Sequence, residues 1–160
     1  MGTELPAGRA GPVVIGVDAG AQTGIAVADG GGLRKAYTVP WGADGAEVKG
    51  ALRALLANLH VDAVVVETPP AAYWPRKGLG GRANYRIARN VGQCQARAAE
   101  LAAFCEGLGA RVIRRAPIRG ATKLRVKVWQ AMNPEWTGRP PSGHARDASA
   151  LAKWGWERRK

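Results

Sequence analysis

Acidic residues are scarce in this chain: 12 Asp and Glu stand against 24 Lys and Arg in 160 residues, a formal net charge of +12. That imbalance argues against a cationic partner and favours a polyanion, nucleic acid before an anionic membrane or mere solubility. Cysteine is scarcer still, with only Cys94 and Cys105, which excludes a disulfide framework. If one helix carries both, they lie about 16 Å apart along its axis, beyond the roughly 7 Å that a disulfide tolerates between Cα atoms. They read as buried thiols of a cytoplasmic protein, in a bacterial or phage-infected cell. Aromatics make up 6% of the chain, with one Phe. No apolar h-region marks Met1 to Gly11, and the run that follows, Val13 to Val17, is far below the 18 or so residues of a membrane span. A Walker Gly-Lys-Ser/Thr motif is also missing.

What is present fits one folded domain after a loose tail over residues 1–11. Hydrophobic residues form 46% of the chain, and a domain of about 150 residues buries enough surface to need no staple. Gly 22 and Pro 10 indicate generous loops. The charge is concentrated: Arg76 to Lys127 holds 13 basic residues and two acids, Glu100 and Glu106, so +11 of the +12 lies there. A window so unbalanced reads as a polyanion surface rather than as balanced, solvated helix faces.

The apolar patterning predicts strands over Val13–Asp18, Gly24–Ala28 and Leu33–Val39, joined by turns short enough for an antiparallel meander. A helix follows over about Asp44–His60, with Val48, Leu52, Leu55, Leu56 and Leu59 on one face. Val61–Glu67 is a fourth strand, and its Val64-Val65-Val66 run suits burial on both faces. Thr68 to Ala83 reads as a Pro/Gly loop. A long helix runs over about Asn84–Gly107, with Ile87, Val91, Cys94, Ala98, Leu101, Cys105 and Leu108 in 4-3 spacing and Ala88, Gly92, Ala99 and Ala102 widening that face. A fifth strand over Arg111–Arg115, a basic helix ending near Met132 and a last helix over Ser142–Trp156 complete the chain. The order β-β-β-α-β-α-β-α-α implies a mixed five-stranded sheet flanked by helices. If the fourth strand pairs with the first, their carboxyl ends flank a switch point where ligands bind.

Asp18 and Glu67 each end an apolar strand at that point. Neighbouring carboxylates repel unless a cation lies between them, and hard divalent cations choose such oxygen ligands. His144 and Asp147, at i and i+3, share a helix face that Leu151 continues inward. The four would surround two metal ions about 3.5–4 Å apart, which can activate water and stabilise the leaving oxygen in phosphodiester cleavage. Singly, each has a plainer role: a strand-end turn or cap for Asp18, an arginine partner for Glu67, a helix-dipole carboxylate for Asp147, a partly buried imidazole for His144.

Gly16-Val17-Asp18-Ala19-Gly20 with Thr23-Gly24, then Val64-Val65-Val66-Glu67, then His144-Ala145-Arg146-Asp147-Ala148, resembles the RuvC family of Holliday-junction resolvases. The resemblance spans the chain from the first strand to the last helix. It implies a ribonuclease-H-like α/β fold over residues 12–160, with three antiparallel strands followed by parallel crossovers. It implies Asp18, Glu67, His144 and Asp147 as catalytic and metal-binding quartet, two Mg²⁺ (or Mn²⁺) per site, and a homodimer cutting four-way junctions in DNA recombination and repair. The place of His144 holds Asp in many members. Gly92-Gln93 and Ala96-Arg97 resemble the family's dimer-forming helix. Ala121-Thr122-Lys123 with Val126 resembles its basic helix, which makes Lys123 a DNA-backbone contact. The segment after Glu67 is longer than the family pattern.

That segment carries Tyr73 and Trp74 between prolines, then Arg76, Lys77 and Arg82. Aromatics there can stack on unpaired bases while cations hold phosphates; packing of both rings onto the fold is the other reading. Arg119, Lys123 and Lys127 form one stripe of the basic helix, a phosphate contact or a solvated face, and Val126, Trp129 and Met132 form its other face. Paired, symmetric hydrolysis of four-way junctions is the leading function. Looser cleavage of flaps and forks, or non-catalytic DNA binding with the carboxylates as structural residues, are the alternatives. An actin-like phosphotransferase, suggested by Asp18 to Thr23, would need a second domain copy. A branch-migration partner is left open.

Overall fold

The computed structural model describes residues 11–69, 77–118 and 125–159. Among the described residues, five strands and four helices follow in the expected order: β1 (Val13–Asp18), β2 (Gln22–Asp29), β3 (Gly32–Pro40), α1 (Ala46–Asn58), β4 (Val61–Glu67), α2 (Gly81–Gly107), β5 (Val112–Arg115), α3 (Val126–Met132) and α4 (Gly143–Glu157). The sheet order is β3-β2-β1-β4-β5. β1, β2 and β3 are an antiparallel meander, and β4 pairs parallel with both β1 and β5. Strand alternation divides β1 between two cores. Val13, Ile15 and Val17 pack with Val64 and Val66 under α1 and α2. Val14 and Val65 meet Leu151 of α4 on the opposite face.

Glycines let α4 lie directly on the strands. A Cβ added to Gly16 would stand 2.0 Å from the Ala148 carbonyl oxygen, and one at Gly24 would stand 2.1 Å from that of His144. From the helix side, a Cβ on Gly155 would come within 2.6 Å of Val65 Cγ2. Ser142 caps α4, its Oγ accepting from the Ala145 N–H. α3 is held down by Trp129, whose buried indole N–H donates to Ser149 Oγ at 2.9 Å.

α2 is about 40 Å long at 1.5 Å per residue, whereas a strand of seven residues spans about 23 Å. It therefore overhangs the sheet. Ala98, Leu101, Ala102 and Cys105 are buried in the core, but Ile87, Val91 and Cys94 are only half-buried. Leu108, expected on the buried seam, is exposed beyond the helix end, and Gly92 and Ala99 face solvent. α2 also starts at Gly81, three residues before the expected Asn84, so Arg82 belongs to a helix and not to the loop. The expected apolar face of α3 is likewise corrected. Trp129 is buried, while Val126 and Met132 are exposed together with Val128, because a helix of seven residues is anchored by one side chain. Both cysteines are free thiols on α2. Among the described residues no helix is long and apolar enough to cross a membrane.

Candidate active site

β1 and β4 deliver their last residues side by side. Their register runs through Val17 opposite Val66, and one step further brings Glu67 beside Asp18. By parity, both carboxylates lie on the α4 side of the sheet. Asp18 is also paired across β1 and β2 with Gly24, where the start of α4 presses onto the strand. That close approach sets His144 against Asp18, with Nδ1 and Oδ2 2.9 Å apart. With Nδ1–H donating to the carboxylate, the imidazole keeps Nε2 available outward.

The electrostatics follow from burial and crowding. Asp18 is 8% exposed; burial raises its pKa, and His144 opposes that rise through its hydrogen bond and charge. Glu67 is pushed up to about 7, first by burial and then by Asp18 and Asp147. Asp147 is also pushed up to about 7, by burial and Asp18, with His144 and Arg146 pulling the other way. Three carboxylates thus share one region and resist ionising together. The plainer roles of Asp147 and Glu67 lose ground. Asp147 lies past the first turn of α4, which contains no acid. Glu67 makes no ion pair among the described residues, and its register neighbour Arg115 turns its guanidinium over the Trp154 ring, 5.1 Å from the centroid.

His144 departs from expectation in one respect. Its side chain is half-exposed rather than turned inward, because the buried face of α4 is made by Ala145, Ala148, Leu151 and Ala152. His144 and Asp147 stand at its margin. Among the described residues no three His, Cys, Asp or Glu side chains are placed to hold a metal ion as they stand. The donor set itself, three carboxylates and an imidazole, suits a hard divalent cation, and positive charge would relieve the repulsion that raises Glu67 and Asp147.

A cleft of about 240 Å³ opens beside Asp18 and Glu67. Its floor includes Ala19 and Pro69, and α2 provides the wall with Ile87, Asn90, Val91 and Cys94. Burial together with Asp18 and Glu67 pushes the Cys94 thiol up, against a smaller pull from Arg97, which keeps it protonated at neutral pH. Asn90 and Cys94 were not singled out as site residues from the sequence. Cys94 read as one more position of the apolar seam, and nothing in the local pattern separated Asn90 from a solvated amide.

Of the residues expected to touch DNA, Lys77, Arg82 and Lys127 are exposed. Tyr73, Trp74, Arg76, Arg119 and Lys123 lie outside the described residues.

No protein-family model matches the chain, and no curated protein matches it in sequence. Among solved structures it is similar to T. thermophilus RuvC in complex with Holliday junction substrate, with a TM-score of 0.57 and 18% identity, over 88% of this chain and 90% of that one. The fold is ribonuclease-H-like. The mixed sheet in the order 3-2-1-4-5, with helices on both faces, is the common ground.

Proposed function

We propose that residues 12–160 form a divalent-metal-dependent endonuclease for branched DNA that resolves four-way junctions by paired, symmetric phosphodiester hydrolysis. The observation that carries this reading is the grouping of Asp18 and Glu67 at the ends of β1 and β4 with Asp147 in the first half of α4, where burial raises all three carboxylates, Asp18 raises the other two further and Asp147 adds to the rise of Glu67, with His144 bonded to Asp18. Half-buried or buried carboxylates that crowd one another are costly in a merely structural role. The net charge of +12 supports a polyanionic substrate, and the fold is shared with a protein solved on a Holliday junction.

Asp18, Glu67, His144 and Asp147 would hold Mg²⁺ or Mn²⁺, two per site. The bound cations would polarise the scissile phosphate and the attacking water. The chain's own residues do the rest. His144 fixes the Asp18 carboxylate through Nδ1, which leaves Nε2 either to hold a cation or to take up or deliver a proton at the edge of the site. Exposed Lys77, Arg82 and Lys127 supply positive charge for phosphate contacts. The outward side of α2, where Gly92, Ala96, Ala99 and Ala103 are exposed and small, is proposed to pair with the same helix of a second copy, giving two sites for two nicks.

Single amide substitutions test the site. Asp18→Asn, Glu67→Gln and Asp147→Asn should each reduce junction cleavage about a thousandfold or more, which is about 4 kcal/mol at 1.4 kcal/mol per tenfold. Junction affinity should be kept or increased, since each change removes a charge that repels phosphate. His144→Asp should retain part of the activity. Cleavage at the parent rate by Asp18→Asn would assign the activity to another site or a contaminant.

A further inference from the structure

Arg115 stands where the sheet makes it a natural partner of Glu67, yet its side chain is held elsewhere. The two are register partners at the ends of β4 and β5. The Thr68 N–H donates to the Arg115 carbonyl at 2.8 Å, which ties those ends together. In-register residues of parallel strands project to the same side. Here that is the α4 side, since Val65 and Ile113, two residues earlier, both pack into the core around Leu151. A guanidinium so placed has the geometry to fork onto the neighbouring carboxylate. Instead it lies over the Trp154 ring of α4, 5.1 Å from the centroid, and Arg158 lies over the same ring at 4.9 Å. Arg115 is left short of partners. Its Nε is buried without a hydrogen bond, and Nη1 donates to the Ala116 carbonyl at a long 3.3 Å. Arg34 and Arg159 also bury an unpartnered nitrogen, but each has a carboxylate, Asp29 or Asp62. Among the described residues Arg115 has none.

We propose that Trp154 is a positioning residue that withholds Arg115 from Glu67, so that Glu67 stays open to a divalent cation and Arg115 meets a DNA phosphate beside the one that is cut. The inference rests on the nuclease reading above and deepens it. An ion pair between Arg115 and Glu67 would compete with metal binding, because the guanidinium and the cation need the same carboxylate oxygens. The indole face holds the guanidinium by a cation–π contact that uses none of its N–H donors, which stay available for another acceptor. Two arginines over one ring also concentrate positive charge, which an anion relieves, and a phosphodiester at the site supplies that anion. β5 is an edge of the sheet, so no further strand of the sheet separates Arg115 from a phosphate passing on that side.

The test uses the whole chain and two binding measurements. Mn²⁺ uptake by the protein alone is followed by electron paramagnetic resonance, and four-way-junction affinity by fluorescence anisotropy in chelator. Trp154→Leu, which keeps an apolar side chain but no ring, should weaken Mn²⁺ binding about tenfold, the scale of one charge-assisted bond formed in competition. Adding Arg115→Ala to it should bring Mn²⁺ affinity back to within about threefold of the parent, a rescue that lost packing alone does not give. Trp154→Phe, which keeps a ring, should bind Mn²⁺ like the parent. Arg115→Ala alone should keep Mn²⁺ affinity, weaken junction binding about three- to tenfold and lower its salt dependence by about one phosphate contact. Parent Mn²⁺ affinity in a folded Trp154→Leu protein, or a loss there that Arg115→Ala does not reverse, overturns the proposal and leaves the nuclease reading in place. Unchanged junction affinity in Arg115→Ala does the same, whether or not the Trp154 variants fold. A parent chain that binds no Mn²⁺ and cuts no junction overturns the nuclease reading as well.

Discussion

Glu67 and Asp147 are each pushed up to about 7 from ordinary carboxylate values of 4.5 and 3.8, and this makes stability depend on pH. The folded chain holds protons at both groups that the unfolded chain releases. Stability from them is therefore full below the unfolded values and is lost as pH rises through about 7. Glu106 and Glu135, whose pKa values are lowered, act oppositely, but below about pH 5. In chelator, the melting temperature should fall between about pH 5 and pH 8, and Mg²⁺ should restore more at the upper end. Burial is the main cause of both rises and the Asp18 charge the next, so Asp18→Asn should flatten this profile in part. A profile that rises over that window would contradict the shared carboxylate site. Asp18 and Glu67 were legible in the sequence because an acid that closes an apolar strand breaks the burial pattern just where the chain leaves the sheet. Asn90 was not, because an amide on a helix gives no local sign of what it faces.

Among the elements, α4 positions the chemistry, and it does so through glycine. Its first residues rest on Gly24, the partner of Asp18 in the β1–β2 ladder. Gly24→Ala forces the backbone of His144 outward, since a Cβ there would lie 2.1 Å from the His144 carbonyl oxygen. Overpacking of this kind costs about 1–3 kcal/mol, and a shift of about 1 Å at a reacting group can cost a hundredfold in rate. The expected result is cleavage down about a hundredfold with a modestly lower melting temperature and unchanged affinity for junctions. Parent-rate cleavage would mean that the contact between α4 and β2 does not set the site. The strands and the core of α1 were legible from period and length. The start of α2 was not, because Gly80 and Gly81 favour loops by propensity, and the overhanging half of this helix is fixed by tertiary geometry. The face of α3 was misread for a related reason: seven residues hold too little periodicity to outweigh one anchoring Trp.

For the whole molecule, the sheet order follows from connection lengths and the parallel pairing of β1 with β4, which is why the architecture was readable from sequence. The homodimer expected through the long helix rests on the resemblance and on the small residues of α2, which face solvent in a single chain. If that face pairs two copies, light scattering at micromolar concentration should report a dimer, and Ala96→Arg should yield monomers that bind DNA but cut junctions poorly. Two sites related by a two-fold axis also dictate how a junction is cut. The most direct measurement is therefore incubation of end-labelled four-way junction, fork and linear duplex with Mg²⁺ or Mn²⁺, beside the Asp18→Asn protein. Paired nicks at symmetric positions in the junction, with forks cut more slowly, duplex left intact and Asp18→Asn inert, are the expected result. Binding without metal-dependent cleavage of any of the three would contradict it.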